Sequence, residues 1–281
     1  MVSSQPKSHT RQPQEELANS SDSAWITQFE TPLSLEMHGA LAGLSFAVKD
    51  NIDVSGLPTT AACAPFAYTP TSNAKVVSKL LHVGACLKGK TNLDQFACGL
   101  NGTRSPYGVV PNTFKSEYVS GGSSAGSAYV VAKQEVDFAL GTDTAGSGRI
   151  PAGLNNIVGL KPTRGLVSTN GVVPAAQNVD CVSIFTTTVS SAANVLDVLA
   201  DFDEDDPYSR SLLLKKTPLP DSFTFGIPEQ LEFFGDELSK DAFNKAINRM
   251  KNLGGKPVSI NYSPLLDAAS MLYGSALVAW R

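Results

Sequence analysis

The chain has 281 residues, of which 42% are hydrophobic and 17% charged, a composition typical of a globular protein and too apolar for a disordered one. A formal net charge of −4 without a dominant basic patch argues against a nucleic-acid partner. The sequence has no apolar run of the length that spans a bilayer, so we expect no membrane partner either. Four widely spaced cysteines form no C-x-x-C pair, which favours free thiols in a reduced, cytoplasmic compartment.

The first predicted elements follow a polar N-terminus. Residues 1–24 lack the apolar core of a signal peptide, so we predict a disordered tail there and one folded domain over residues 25–281. Apolar runs, helical periodicity and turn residues then predict, in chain order, a strand within 41–54, a helix over 73–83, a strand over 85–89 and a helix beginning in 91–98.

The second half of the pattern continues the alternation of helices and strands. It predicts a small-residue helix over 123–133, a buried strand over 136–140, a loop over 141–151, short strands over 157–160 and 171–173, a helix over 190–200 and a surface connection over 215–222. Alternating strands and helices are typical of an α/β protein whose sheet is covered by helices on both faces.

Three familiar motif classes fail in this context. The segment Gly84–Thr91 fits the phosphate-binding P-loop pattern, but a predicted helix precedes it and the segment itself is strand-like, whereas a P-loop links a strand to a helix. The segment Gly122–Gly126 fits the G-x-S-x-G elbow, which needs a histidine later in the chain. The three histidines, His9, His38 and His82, all come earlier, and their scarcity also argues against a zinc site.

Lys49 is the first candidate for chemistry, because it lies within an apolar strand. Burial disfavours the charged form of a lysine and lowers its pKa, and a neutral amine is a competent base. The alternative is a structural lysine paired with Asp50 at a strand end.

Two glycine-rich segments supply candidate nucleophiles. Ser123 lies in Gly121–Ser127 (GGSSAGS), where glycines permit close backbone approach and a helix begins with free amide groups. Ser147 lies in a second segment, Gly141–Pro151 (GTDTAGSGRIP), after a buried strand, where successive amides can hold an oxyanion. The alternatives are an ordinary helix N-cap and an anion-binding turn. Serine–lysine pairs are a known substitute for the histidine-based triad.

These three segments together resemble the amidase signature family, whose Lys–cis-Ser–Ser triad has its two serines 24 positions apart. Ser123 and Ser147 keep that spacing, which selects Ser123 over Ser124, and Lys49 stands at the position of the family's lysine. The resemblance runs from about residue 40 to residue 281 and implies an α/β fold with a mixed, twisted central sheet covered by helices on both faces. It also implies that the catalytic domain is incomplete at its C-terminus.

Within that family, three further segments resemble the allophanate hydrolases: 92–96 (NLDQF), 99–108 (GLNGTRSPYG) and 155–180. This resemblance implies hydrolysis of allophanate to ammonium and carbon dioxide during urea degradation. It implies a biotin-dependent urea carboxylase as functional partner and is compatible with a homodimer. It also implies that this domain needs no cofactor or metal. Tyr273 and Arg281 correspond to residues that hold the substrate's carboxylate, whereas Trp280 stands where an acidic residue is expected.

The mechanism implied is a proton relay. Neutral Lys49 takes the proton of Ser123, which takes that of Ser147, and the amides of Thr144, Ala145, Gly146 and Ser147 stabilise the oxyanion. Two alternatives remain. The chain is another amidase, such as the glutaminase subunit of a tRNA-dependent amidotransferase, or it is an inactive truncated fragment that acts as an interaction module.

Overall fold

The computed structural model describes residues 21–274 except 213, 215–216 and 219. The chain divides into two compact units, Met1–Leu212 and Leu213–Arg281. Residues 21–24, which the sequence assigned to a disordered tail, form one turn of 3-10 helix in which Ser23 and Ala24 are buried. Their carbonyl groups accept hydrogen bonds from Asn92, which explains why this polar stretch is ordered.

A six-stranded mixed sheet forms the centre of the first unit. Its strands are β1 (Trp25–Leu33), β2 (Ser45–Lys49), β3 (Cys86–Thr91), β4 (Phe138–Asp143), β5 (Val158–Leu160) and β6 (Cys181–Thr186), in the spatial order β1-β3-β2-β4-β6-β5. Strand β2 lies parallel to both β3 and β4, whereas β1, β5 and β6 pair antiparallel with their neighbours. The mixed α/β architecture expected from the sequence is confirmed.

Helices cover both faces of this sheet. They are α1 (Lys75–His82), α2 (Ala125–Ala132), α3 (Arg149–Leu154) and α4 (Val189–Leu199). Phe46 and Val48 of β2 join one apolar cluster with residues of α1 and α4, while Ala47 between them joins another with residues of α2. Because successive side chains of a strand point to opposite faces, this alternation buries the sheet on both sides.

Some predicted elements differ from the structure. The proposed helix in 91–98 is wrong, because β3 runs through Thr91 and only a 3-10 turn, Gln95–Ala97, follows. The stretch 141–151 is not all loop, since β4 extends to Asp143 and α3 begins at Arg149. Residues 171–173 form only an isolated bridge, and β6 was not predicted at all. The strand at Cys86–Thr91 confirms that this segment is no P-loop.

The second unit contains β7 (Phe223–Pro228), α5 (Glu237–Asn252), β8 (Gly255–Ile260) and α6 (Ser263–Gly274). Strands β7 and β8 are parallel and are joined through α5. Asp236 caps the start of α5, because its carboxylate accepts hydrogen bonds from the amides of Leu238 and Ser239, which would otherwise be free donors. In the described part of the chain, none of the helices is long and apolar enough to cross a membrane.

Candidate active site

Lys49 lies where two parallel strands end at the same edge of the sheet. It is the last residue of β2, and Thr142 lies near the end of the neighbouring β4. The lysine is 0% exposed, and its Nζ atom is 2.8 Å from Ser123 Oγ and 2.7 Å from Thr142 Oγ1. The structure therefore places this buried amine between two hydroxyl groups, and not in an ion pair with Asp50. The Asp50 carboxylate instead lies 2.9 Å from Lys90 Nζ.

The surroundings of Lys49 favour its neutral form. Burial lowers the pKa of its amine from 10.5 to about 7, although the nearby carboxylates of Asp94, Asp180 and Asp143 oppose this effect. An amine with that pKa is about half deprotonated near neutral pH. Lys49 is therefore able both to take up and to return a proton under ordinary conditions.

Ser123 precedes helix α2 and is completely buried. The peptide bond between Gly122 and Ser123 is cis. Ser124 is also buried, but its hydroxyl donates to the Thr142 carbonyl at 3.1 Å and lies 3.3 Å from the Thr142 amide. The two adjacent serines thus have different partners, and it is Ser123 that contacts the lysine, in agreement with the 24-residue spacing.

Ser147 lies in the turn between β4 and α3 and is 2% exposed. Its carbonyl oxygen accepts a hydrogen bond from the Ser124 amide at 3.2 Å, which joins the two serine-bearing segments directly. The three candidate residues, far apart in sequence, therefore belong to one connected cluster at the edge of the sheet.

Asp143, which was not singled out from the sequence, organises this turn. Its carboxylate accepts from the amides of Gly146, Gly148 and Arg149 at 2.8, 3.2 and 3.1 Å, and from two nitrogens of the Arg149 guanidinium at 2.9 and 3.0 Å. Burial works against ionisation, but these hydrogen bonds and the arginine's charge hold the Asp143 pKa below its usual value. A carboxylate directly before a glycine-rich turn was the available sequence signal.

This arrangement changes one expectation about the oxyanion site. The Gly146 amide was predicted to stabilise an oxyanion. In the structure it donates to the Asp143 carboxylate instead, so it is not free to bind an oxyanion. The neighbouring Thr144 is held from the other side, because its hydroxyl donates to the Asp180 carboxylate. Asp180 in turn accepts from the amides of Ala175 and Ala176 at 2.8 and 3.1 Å.

The two predicted substrate-binding residues are not placed by the structure. Tyr273 belongs to helix α6, but its side chain lies outside the described part of the chain, and so does Arg281 entirely. Within the described residues, no cluster of three or more histidine, cysteine or acidic side chains is arranged to hold a metal ion.

Comparisons with known proteins identify relatives of this chain. The family model described as Amidase matches residues 17–280. The chain is 48% identical to the urea amidolyase of Saccharomyces cerevisiae over 92% of its own length, but spans only 15% of that protein. It is 42% identical to a glutamyl-tRNA(Gln) amidotransferase subunit of Methanosarcina acetivorans over 86% of its length and 52% of that protein.

Solved structures show the same relationship. The allophanate hydrolase of Kluyveromyces lactis superposes with a TM-score of 0.86 at 45% identity, covering 93% of this chain and 45% of that one. The chain belongs to the Amidase family, and the resemblance inferred from its sequence is confirmed.

Proposed function

We propose that this Amidase family member hydrolyses the amide bond of allophanate, with Ser147 as nucleophile, Ser123 as proton relay and Lys49 as base. The observation that carries the proposal is the 2.8 Å contact between the buried Lys49 amine and Ser123 Oγ. A lysine whose pKa is lowered to about 7 has the protonation behaviour that a general base needs near neutral pH.

We propose a proton path that starts from the contact between Lys49 and Ser123. The lone pair of neutral Lys49 accepts the proton of Ser123 Oγ, which accepts the proton of Ser147 Oγ as that oxygen attacks the amide carbon. Collapse of the tetrahedral intermediate breaks the C–N bond, and the relay returns the proton to the departing nitrogen. Water then attacks the acyl-enzyme by the same relay and releases the acid. Lys49 therefore begins and ends each half-reaction neutral.

Backbone amides of the nucleophile turn complete the proposed site. Gly146 N–H is engaged with Asp143, which leaves the amides of Thr144, Ala145 and Ser147 as the proposed oxyanion donors. Asp143 from one side and Asp180 from the other hold this turn in place, so the donors are set before the substrate arrives. Such preorganisation is the main requirement for stabilising a developing negative charge.

The choice of allophanate rests on the similarity to a urea amidolyase and an allophanate hydrolase at 45–48% identity. Allophanate carries a carboxylate, and we propose that Tyr273 and Arg281 bind it, since a guanidinium can hold a carboxylate through two parallel hydrogen bonds. A urea carboxylase that supplies allophanate is the proposed functional partner. The four free cysteines suit the cytoplasm as the proposed location.

The test is ammonia release from allophanate, glutamine and a simple neutral amide, in the wild type and in Ser147→Ala. We expect the alanine variant to lose at least about 10³-fold in turnover and to lose labelling by a fluorophosphonate. The matched control is Ser116→Ala at an exposed serine, which should retain both. Persistent labelling of Ser147→Ala would exclude Ser147 as the nucleophile.

A second candidate is the glutaminase reaction, favoured by the 42% identity to a subunit of a glutamyl-tRNA(Gln) amidotransferase. Preferred turnover of glutamine over allophanate would support it. A cooperative melt without turnover on any of the three substrates, and without labelling, would instead support the inactive interaction module.

A further inference from the structure

Asp94 is a buried carboxylate next to the proposed site that the mechanism above does not use. It follows β3, directly before the turn Gln95–Ala97, and is 0% exposed. Its backbone amide donates a hydrogen bond to the Ser123 carbonyl at 3.0 Å. The residue that relays the proton is thus tied through its own backbone to Asp94.

The Asp94 side chain is itself fixed by two neutral donors. Oδ2 accepts from the Gly102 amide at 3.0 Å, and Oδ1 accepts from the Arg104 amide at 2.8 Å. Both carboxylate oxygens are therefore held by amides of the loop that follows, while the backbone of Asp94 is held by the Ser123 carbonyl.

The carboxylate also lies directly against the peptide that presents Ser123. A Cβ atom added to Gly122 would be 2.1 Å from Asp94 Oδ2, far inside van der Waals contact. The Gly122 amide meanwhile donates to the Leu100 carbonyl at 2.8 Å. A side chain at position 122 would also lie 2.6 Å from the Gly102 amide nitrogen, so Asp94 and the amide that it accepts from together exclude any residue but glycine there.

We propose that Asp94 is a positioning residue of this active site, which holds Ser123 beside Lys49 and places a buried negative charge near the lysine amine. The inference deepens the proposed function and rests on it. Asp94 touches neither substrate nor reacting atoms in this scheme, and acts through Ser123 and Lys49.

The negative charge of Asp94 should shift the pKa of Lys49 in a direction that can be measured. Burial lowers the Lys49 pKa to about 7, and among the carboxylates that oppose this effect Asp94 contributes most, ahead of Asp180 and Asp143. Removing the Asp94 charge should lower the Lys49 pKa further. Because the base must be neutral, the rise of activity with pH should then occur at lower pH.

The experiment is the pH dependence of kcat/KM and of the fluorophosphonate labelling rate for Asp94→Asn. We expect the acidic limb of both profiles to move to lower pH and the plateau to fall about 10- to 100-fold, as for small misplacements of catalytic groups. The control is Asp203→Asn at another buried carboxylate, one that accepts from Ser168 Oγ at 2.6 Å and is absent from the charges acting on Lys49. Its acidic limb should coincide with that of the wild type.

A second variant separates position from charge. Gly122→Ala keeps the negative charge but forces the Asp94 carboxylate and the Gly102 amide away from the Ser123 peptide, so the plateau should fall while the acidic limb stays in place. If Asp94→Asn does not melt cooperatively, Asp94→Glu replaces it, since the charge remains and the carboxylate must move. It should then behave as Gly122→Ala does.

Either of two results would contradict the role of Asp94 without contradicting the proposed function. The first is an acidic limb that stays in place in folded Asp94→Asn, and the second is wild-type kinetics in Gly122→Ala or in Asp94→Glu. A wild type that hydrolyses no amide but is labelled at Ser147 contradicts the substrate assignment and still tests Asp94 through labelling. Absence of both turnover and labelling in the wild type overturns the proposed function and this inference together.

Discussion

Lys49→Met should remove a destabilisation of the folded protein that is largest near neutral pH and disappears as the pH rises, in addition to a pH-independent loss of the hydrogen bonds to Ser123 and Thr142. Methionine has a similar length and no charge, so it fills the space of a side chain that is 0% exposed. Burial disfavours the protonated form of Lys49, because it lowers the pKa of the amine from 10.5 to about 7 in the folded protein. The unfolded chain, in contrast, keeps that lysine protonated up to about pH 10.5.

The sign and size of the effect follow from proton linkage. Between about pH 7 and about pH 10.5 the unfolded state binds the proton and the folded state does not, so wild-type stability rises with pH in this window. At about 1.4 kcal/mol for each pH unit, the interval between the two pKa values corresponds to about 5 kcal/mol. The stability of the wild type relative to Lys49→Met should therefore rise by up to about that amount between about pH 7 and about pH 10.5.

The assay is urea unfolding followed by circular dichroism at several pH values across this window, for the wild type and the variant. The control is Lys256→Met at an exposed lysine, for which we expect a difference that does not change with pH. A difference between the wild type and Lys49→Met that is constant from about pH 7 to about pH 10 would refute the reasoning. Lys49 would then keep its proton in the fold and could not be the base.

Three further predictions concern groups around the lysine and the nucleophile turn. Asp143→Asn should lower stability by about 2 kcal/mol in urea unfolding, because the buried carboxylate that accepts from the Gly146 and Arg149 amides loses its charge and one acceptor oxygen; unchanged stability would contradict this. Ser124→Ala should cost about 1 kcal/mol of stability through its lost bond to the Thr142 carbonyl, and should retain more turnover than Ser123→Ala in the same ammonia assay. Thr142→Val should lower kcat by about tenfold, because the Lys49 amine loses one of its two fixed contacts, and a normal kcat would show that Ser123 alone orients it.

Much of the candidate site was predictable because its members lie in short, unusual segments. A lysine in an apolar strand is unfavourable to bury in its charged form, and serines among glycines lie where the backbone can approach a ligand closely. Such departures from ordinary patterns are typical of functional sites. Their spacing selected Ser123 over Ser124, and in the structure Ser123 contacts Lys49 whereas Ser124 bonds to the backbone of Thr142. The helix expected in 91–98 was wrong because the spacing of Thr91 and Asp94 looked like a helix cap. In the structure the Asp94 carboxylate accepts instead from amides 8 and 10 residues further along, which local spacing does not reveal.

The sequence by itself determined the class of fold, the family and the three residues proposed for chemistry, because periodicity and motif spacing are properties of local chain segments. Only the tertiary structure decided which groups support them. Thr142 reaches Lys49 across 93 positions, and Asp180 reaches Thr144 across 36. Such contacts depend on which strands become neighbours in the sheet, and the order β1-β3-β2-β4-β6-β5 is not written in any single segment. Burial of Lys49, and with it the lowered pKa, arises only when that sheet and its helices close around the amine.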